Sequence, residues 1–234
     1  MFASLTLAIV VSQSALKIED VKLGTGEGVK LYDVVEAEYT GKLTNGIVFD
    51  SNVKSEKKLR FQVGVGRVIK GWDQGFMGMK LNGERNLTVP PDLGYGERGS
   101  GSTIPPNSTL NFSIKLVRIL PSAKITMVTE GKGEPIKLGQ FLECKLSVKA
   151  ANGREMADPS KESRLRLSPQ MLPWINQAIG GIKAGEKRKV IINSEIAFGE
   201  KGLPATDQPG KKAGSDVPPN SDLNMEVEAL KITD

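Results

Sequence analysis

The chain is one unit written twice, and that repeat limits the fold more than any other feature of its 234 residues. Asn45-Gly46 answers Asn152-Gly153, 107 positions on. Leu93-Gly94-Tyr95-Gly96-Glu97 answers Ile196-Ala197-Phe198-Gly199-Glu200 at 103 positions, and Pro105-Pro106-Asn107-Ser108 answers Pro218-Pro219-Asn220-Ser221 at 113. Between these marks, Gly78-Met79-Lys80 with Glu84-Arg85 matches Gly181-Ile182-Lys183 with Glu186-Lys187-Arg188. Solenoid repeats are shorter and need at least three copies for stability, so two long copies mean a tandem pair. The drifting offset places a deletion in the middle of the second copy and an insertion near its end. Leu120-Pro121-Ser122 reads as the joint, giving units 17–120 and 121–234, each long enough to bury its own core.

Local patterning predicts the kind of unit. Val34–Lys42, Leu59–Val63 and Asn86–Val89 alternate as half-buried strands, and Leu110–Leu116 has a period of two with its apolar set on one side. Asn45-Gly46 between two such runs is a hairpin signal, because both residues tolerate positive φ. The only helix-like piece is Ile69–Met79, short and interrupted by Gly71, Gly75 and Gly78. The expected class is therefore α+β: in each copy, a twisted, mainly antiparallel sheet wrapped on one short helix.

Composition removes most chemistries. The chain has no histidine, which excludes Ser-His-Asp and Cys-His catalysis and takes away the commonest zinc ligand. Cys144 is the only cysteine, so neither an intrachain disulfide nor a thiolate cluster can form, and no metal or cofactor is expected. The net charge of +5 is scattered among acids along the chain, which argues against nucleic acid as a partner. Met1–Ala15 carries no charge, and its run Leu5–Val11 followed by small residues reads as a secretory leader over 1–14, or else as an extra apolar strand. It is too short to span a membrane. A leader would send the chain to the endoplasmic reticulum or the secretory pathway, with which the Asn-x-Ser/Thr triplets at Asn86, Asn107 and Asn111 are compatible. Without it the expected location is the cytoplasm. The C-terminus, Lys231-Ile232-Thr233-Asp234, is not a retention signal.

The first copy resembles an FKBP domain. The resemblance lies in Tyr39-Thr40-Gly41, Gly46-x-x-Phe49-Asp50-Ser51, Gly64-x-Gly66-x-Val68-Ile69-x-Gly71-Trp72-Asp73-x-Gly75, Tyr95-Gly96 and Ile104-Pro105-Pro106-Asn107-Ser108-Thr109-Leu110-x-Phe112, in that order from about Lys17 to Leu120. It implies two FKBP-like domains and a peptidyl-prolyl cis/trans isomerase acting on proline-containing polypeptide clients as a monomer, with immunosuppressant macrolides as ligands of the same pocket. Carried over position by position, Trp72 is the floor under the prolyl ring. Tyr39, Phe49 and Phe112 are walls, with Leu59, Val68, Ile69 and Ile104 closing the sides. The Ile69 amide binds a substrate carbonyl, Asp50 faces the reacting amide, and the Tyr95 hydroxyl donates to the peptide. Leu59, Thr103, Ser55 and Ser100 depart from the commonest family pattern, which bears on peptide preference and macrolide affinity.

Taken singly, each aromatic reads better as plain core, Asp50 as a turn acid and Tyr95 as a loop residue; their shared order favours function. In the second copy Leu146, Met156, Ala157, Ile175, Phe198 and Met225 fall opposite Tyr39, Phe49, Asp50, Trp72, Tyr95 and Phe112. Asp158 takes the place of Asp50 if that alignment slips by one. The second copy is thus expected to fold alike and not to isomerise. Its longer loop from Gly199 to Pro218 reads as a contact surface or as a tolerated insertion. The alternative for the whole chain is a non-catalytic docking or chaperone protein on the same fold.

Overall fold

The computed structural model describes residues 15–203 and 217–234. The segment 1–14 read as a leader, and most of the loop after Gly199, lie outside them. In the first half the elements are β1 (Lys17–Lys22), β2 (Thr25–Gly28), β3 (Val34–Leu43), β4 (Val48–Ser51), β5 (Leu59–Gln62), α1 (Lys70–Gly75), β6 (Lys80–Leu81), β7 (Glu84–Val89) and β8 (Leu110–Ile119). The second half gives β9 (Lys124–Thr129), β10 (Phe141–Ala150), β11 (Glu155–Ala157), β12 (Glu162–Arg166), α2 (Pro173–Ile179), β13 (Lys187–Ile192) and β14 (Leu223–Thr233).

Each half builds a six-stranded antiparallel sheet of the same topology. The first runs β1-β7-β8-β3-β4 with β5 also on β3, and the second β9-β13-β14-β10-β11 with β12 also on β10. The alternation read in the sequence holds: Leu110, Phe112, Ile114 and Leu116 of β8 all face inward and are buried. The helix is shorter than its Ile69–Met79 pattern, and the chain turns out of it at Gly78, whose φ is 73°.

The two glycines inside α1 are what let it lie flat on the sheet. A Cβ at Gly71 would stand 2.5 Å from Val89, and one at Gly75 2.4 Å from Leu87, so no side chain fits at either place. A buried arginine then ties helix to sheet in each half. Arg85 donates to Gly75 O at 2.7 Å and Met77 O at 3.0 Å, and its charge is met by Asp20 at 2.7 Å. Arg188 does the same for Ala178 O at 3.2 Å and Gly180 O at 2.9 Å, paired with Glu186. Carbonyls at the end of a helix have no partner within it, so a cation placed there satisfies them. The repeated arginine in the sequence marks this clamp.

Each half has its own core, one around Phe61, Trp72, Phe76 and Leu87, the other around Leu142, Leu167, Ile179 and Ile192. The halves also touch: Val34 and Leu120 pack into the second core, and Arg118 reaches Glu195 at 2.7 Å.

Candidate active site

In the first half one cavity of about 190 Å³ is lined by Tyr39, Phe49, Asp50, Leu59, Arg67, Val68, Ile69, Trp72, Tyr95 and Phe112. Its floor is Trp72, 4% exposed, carried by α1. The ring stands edge-on to Tyr39 (centroids 5.0 Å, 85°) and to Phe112 (5.2 Å, 83°), the geometry the aromatic quadrupole prefers. Phe49 closes the far side against Phe112 at 5.7 Å and 89°. Gly41 makes that closure sterically feasible, since a Cβ there would lie 2.6 Å from Phe49 and 2.9 Å from Phe112. The Tyr-Thr-Gly motif therefore couples a wall, Tyr39, to the space two other walls need.

The polar groups sit at the rim. Tyr39 Oη donates to Asp50 Oδ2 at 2.5 Å. Burial and this carboxylate push the Tyr39 hydroxyl far up, and burial with the Asp50 charge pushes Tyr95 up as well. Both phenols therefore stay protonated and able to donate at any ordinary pH. Tyr95 is half-exposed, with φ −104° and ψ 2°, in the sparsely populated bridge region where binding residues often sit. Ile69 precedes the helix, and its amide donates to nothing among the described residues. Asp50 itself is exposed at the cavity rim, next along β4 from the inward Phe49, so its carboxylate meets both solvent and the Tyr39 hydroxyl. No thiol, amine or aliphatic hydroxyl side chain lines the cavity, and Cys144 is buried in the other half with its thiol pushed up to about 11 by burial.

Ile104 is the one expected residue absent from this lining. It is buried in the core and bridges Ser100 through its backbone. Arg67, which the sequence reading did not single out, does line the cavity.

In the second half the register fixes the correspondence. Gly41 stands opposite both Phe112 and Asp50, and Val148 stands opposite both Met225 and Ala157. The alignment does not slip, and Asp158 instead accepts from the amide and hydroxyl of Ser160. Leu146 and Met225 are buried, and Trp174 packs 6.4 Å from Phe198.

A family model described as FKBP-type peptidyl-prolyl cis-trans isomerase matches residues 26–117 and 132–230. The chain belongs to that family. Among its relatives, an FK506-binding protein of Neisseria meningitidis serogroup A is 46% identical over 105 residues, 45% of this chain and 96% of the relative. FK506-binding protein 4 of Rhizopus delemar is 53% identical over 104 residues, 44% of this chain but 27% of that longer protein. The crystal structure of AtFKBP13 is 43% identical, covering 45% of this chain and 93% of the other, with a TM-score of 0.42. This FKBP chain is thus a peptidyl-prolyl isomerase whose substrates are proline-containing polypeptides. Among the described residues no helix is long and apolar enough to cross a membrane.

Proposed function

We propose that the isomerase site is the aromatic cavity of the first domain, residues 17–120, and that the second, 121–234, does not turn over substrate. The observation that carries this is the convergence of Tyr39, Phe49, Asp50, Trp72, Tyr95 and Phe112 on one cavity, against Leu146, Met156, Ala157, Ile175, Phe198 and Met225 at the matching positions of the second half.

The chemistry asks for little more. Rotating an X–Pro bond means crossing about 18–20 kcal/mol of amide resonance, with no bond to another atom made or broken. Water stabilises the planar, polar ground state, so an apolar wall that holds the proline ring and excludes water favours the twisted amide. Trp72, Phe49 and Phe112 supply the wall. The Ile69 amide receives a substrate carbonyl, Tyr95 donates to the peptide, and Asp50, held by Tyr39, faces the reacting amide. Clients are unfolded or partly folded chains, because isomerisation is slow enough to limit folding. Macrolides of the FK506 type, after which the relatives are named, would occupy the same cavity and compete with them.

The test grafts the second domain's residues into the first. Full-length chain carrying Phe49→Met, Asp50→Ala and Tyr95→Phe is expected to lose about 100-fold in kcat/KM on an Xaa-Pro peptide, with its melting temperature nearly unchanged. Activity above a tenth of the parent would place the site elsewhere.

A further inference from the structure

The turn from Val63 to Ile69 joins β5 to α1 and brings Val68 and Ile69 to the cavity. Part of its shape is held within the first half, where the Asp73 carboxylate accepts from the amides of Gly64 and Gly66, both at 2.8 Å. The rest is held from outside. Just before the turn Gln62, 1% exposed, donates through Nε2 to Tyr32 O and to Pro173 O, each at 2.9 Å. Its Oε1 accepts from Asn176 Nδ2 at 2.8 Å. Near the far end Arg67 Nε donates to Pro169 O at 2.7 Å. Both ends are therefore tied to one stretch of the second half, 169–176, which runs into α2.

That stretch is itself anchored. Asn176 is fully buried and donates to Ser168 O at 2.9 Å. Gln177 donates to Tyr32 O at 3.1 Å and accepts from the Ala123 amide at 2.8 Å. Separating the halves would exchange these hydrogen bonds for bonds to water and expose Val34 and Leu120, which pack into the second core. Apolar burial therefore favours the closed contact, and the amides fix its register. Arg67 thus bonds to a fixed point while its neighbours Val68 and Ile69 line the pocket.

We infer that the second half braces the pocket wall of the first, with Arg67 as the positioning residue that joins them; this rests on reading that pocket as the isomerase site. The degenerate copy has exchanged its own pocket chemistry for a structural task in its neighbour's. The bound peptide meets this wall in the ground state and in the transition state alike, so loosening it weakens binding without changing the chemical step.

The experiment uses the full chain with Arg67→Met, Glu195→Ala or Phe49→Ala. Each is assayed on a Leu-Pro and a Glu-Pro peptide, and amide hydrogen exchange is followed over residues 63–69. Arg67→Met is expected to raise KM about 3–10-fold on both peptides, to leave kcat within about twofold, and to speed exchange in the turn. Glu195→Ala removes the exposed ion pair to Arg118 and is expected to change none of these. Unaltered KM and exchange in Arg67→Met would overturn the brace. So would a rise in KM confined to the Glu-Pro peptide, which marks a direct charge contact, or an equal response to Glu195→Ala. A fully active Phe49→Ala chain would remove the site reading instead, and the exchange data would still decide whether the turn is braced.

Discussion

The two halves share a sheet order, a helix clamp and a loop, yet they differ at nearly every side chain that lines the first half's cavity. Asn107 and Asn220 even hold the same left-handed backbone, at φ 56° and 54°, after matching Pro-Pro pairs. Chain path and pocket chemistry are thus specified by separate sets of residues. Gly41 and Val148 show how the separation works. Gly41 leaves room for two rings, whereas Val148 stands opposite Met225 and Ala157, a flexible and a small side chain that accommodate a branched one. Once the rings go, the glycine is no longer needed.

The strongest way to break the comparison is to attack what the halves share. Arg188→Met leaves the buried Glu186 carboxylate and two helix-end carbonyls unpaired and is expected to destabilise its half by about 3–5 kcal/mol in urea unfolding. Arg85→Met leaves the exposed Asp20 to water and is expected to lose about 1–3 kcal/mol. A large loss for one and none for the other would show that the clamps are not equivalent. Acid offers a milder version. Arg85 holds the Asp20 carboxyl below its ordinary value, so its contribution is present above pH about 4 and is lost as the pH falls below that. Thermal unfolding of the Arg85→Met chain is therefore expected to lose part of the parent's sensitivity in that window.

The next test exchanges the position that differs most in space. Gly41→Val puts a Cβ where Phe49 and Phe112 meet and is expected to destabilise the first half by about 1–3 kcal/mol, with a parallel fall in activity. Val148→Gly is expected to destabilise the second half by about 2–4 kcal/mol, through the lost buried side chain, the void it leaves and chain entropy, without touching activity. Equal effects of the two on isomerisation would mean that the second half takes part in it.

The smallest effect is the response of activity to pH. With no histidine in the chain and both rim phenols pushed upward, kcat/KM is expected to vary by less than about twofold between about pH 6 and 9. A steep rise or fall would require a titrating group outside the cavity.

Much of this arrangement was legible before any coordinates. Period-two alternation over Leu110–Leu116 gives the central strand directly, and the ordered aromatic motifs place the cavity walls. Two kinds of information were not local enough to read. β1 and β9 are exposed along their whole length at the sheet edges, so they carry no alternation to find. Arg67 is an exposed arginine whose acceptor is a backbone carbonyl 102 positions away, and a carbonyl leaves no mark in the residue type. Ile104, carried over by resemblance, is buried in the core and is not among the residues lining the cavity.

In each sheet the strand made last, β8 or β14, stands in the middle of the strand order, paired on both edges. On a ribosome neither sheet can close until its final strand has emerged. The first half then completes itself at Ile119, while Pro169 and Asn176 are still to be translated, a gap of roughly 2–10 s at ordinary elongation rates. For that interval the newborn chain has a formed pocket whose wall is held only from within its own half, by Asp73. Binding strength arrives later than the pocket itself, once its neighbour has been synthesised and has docked.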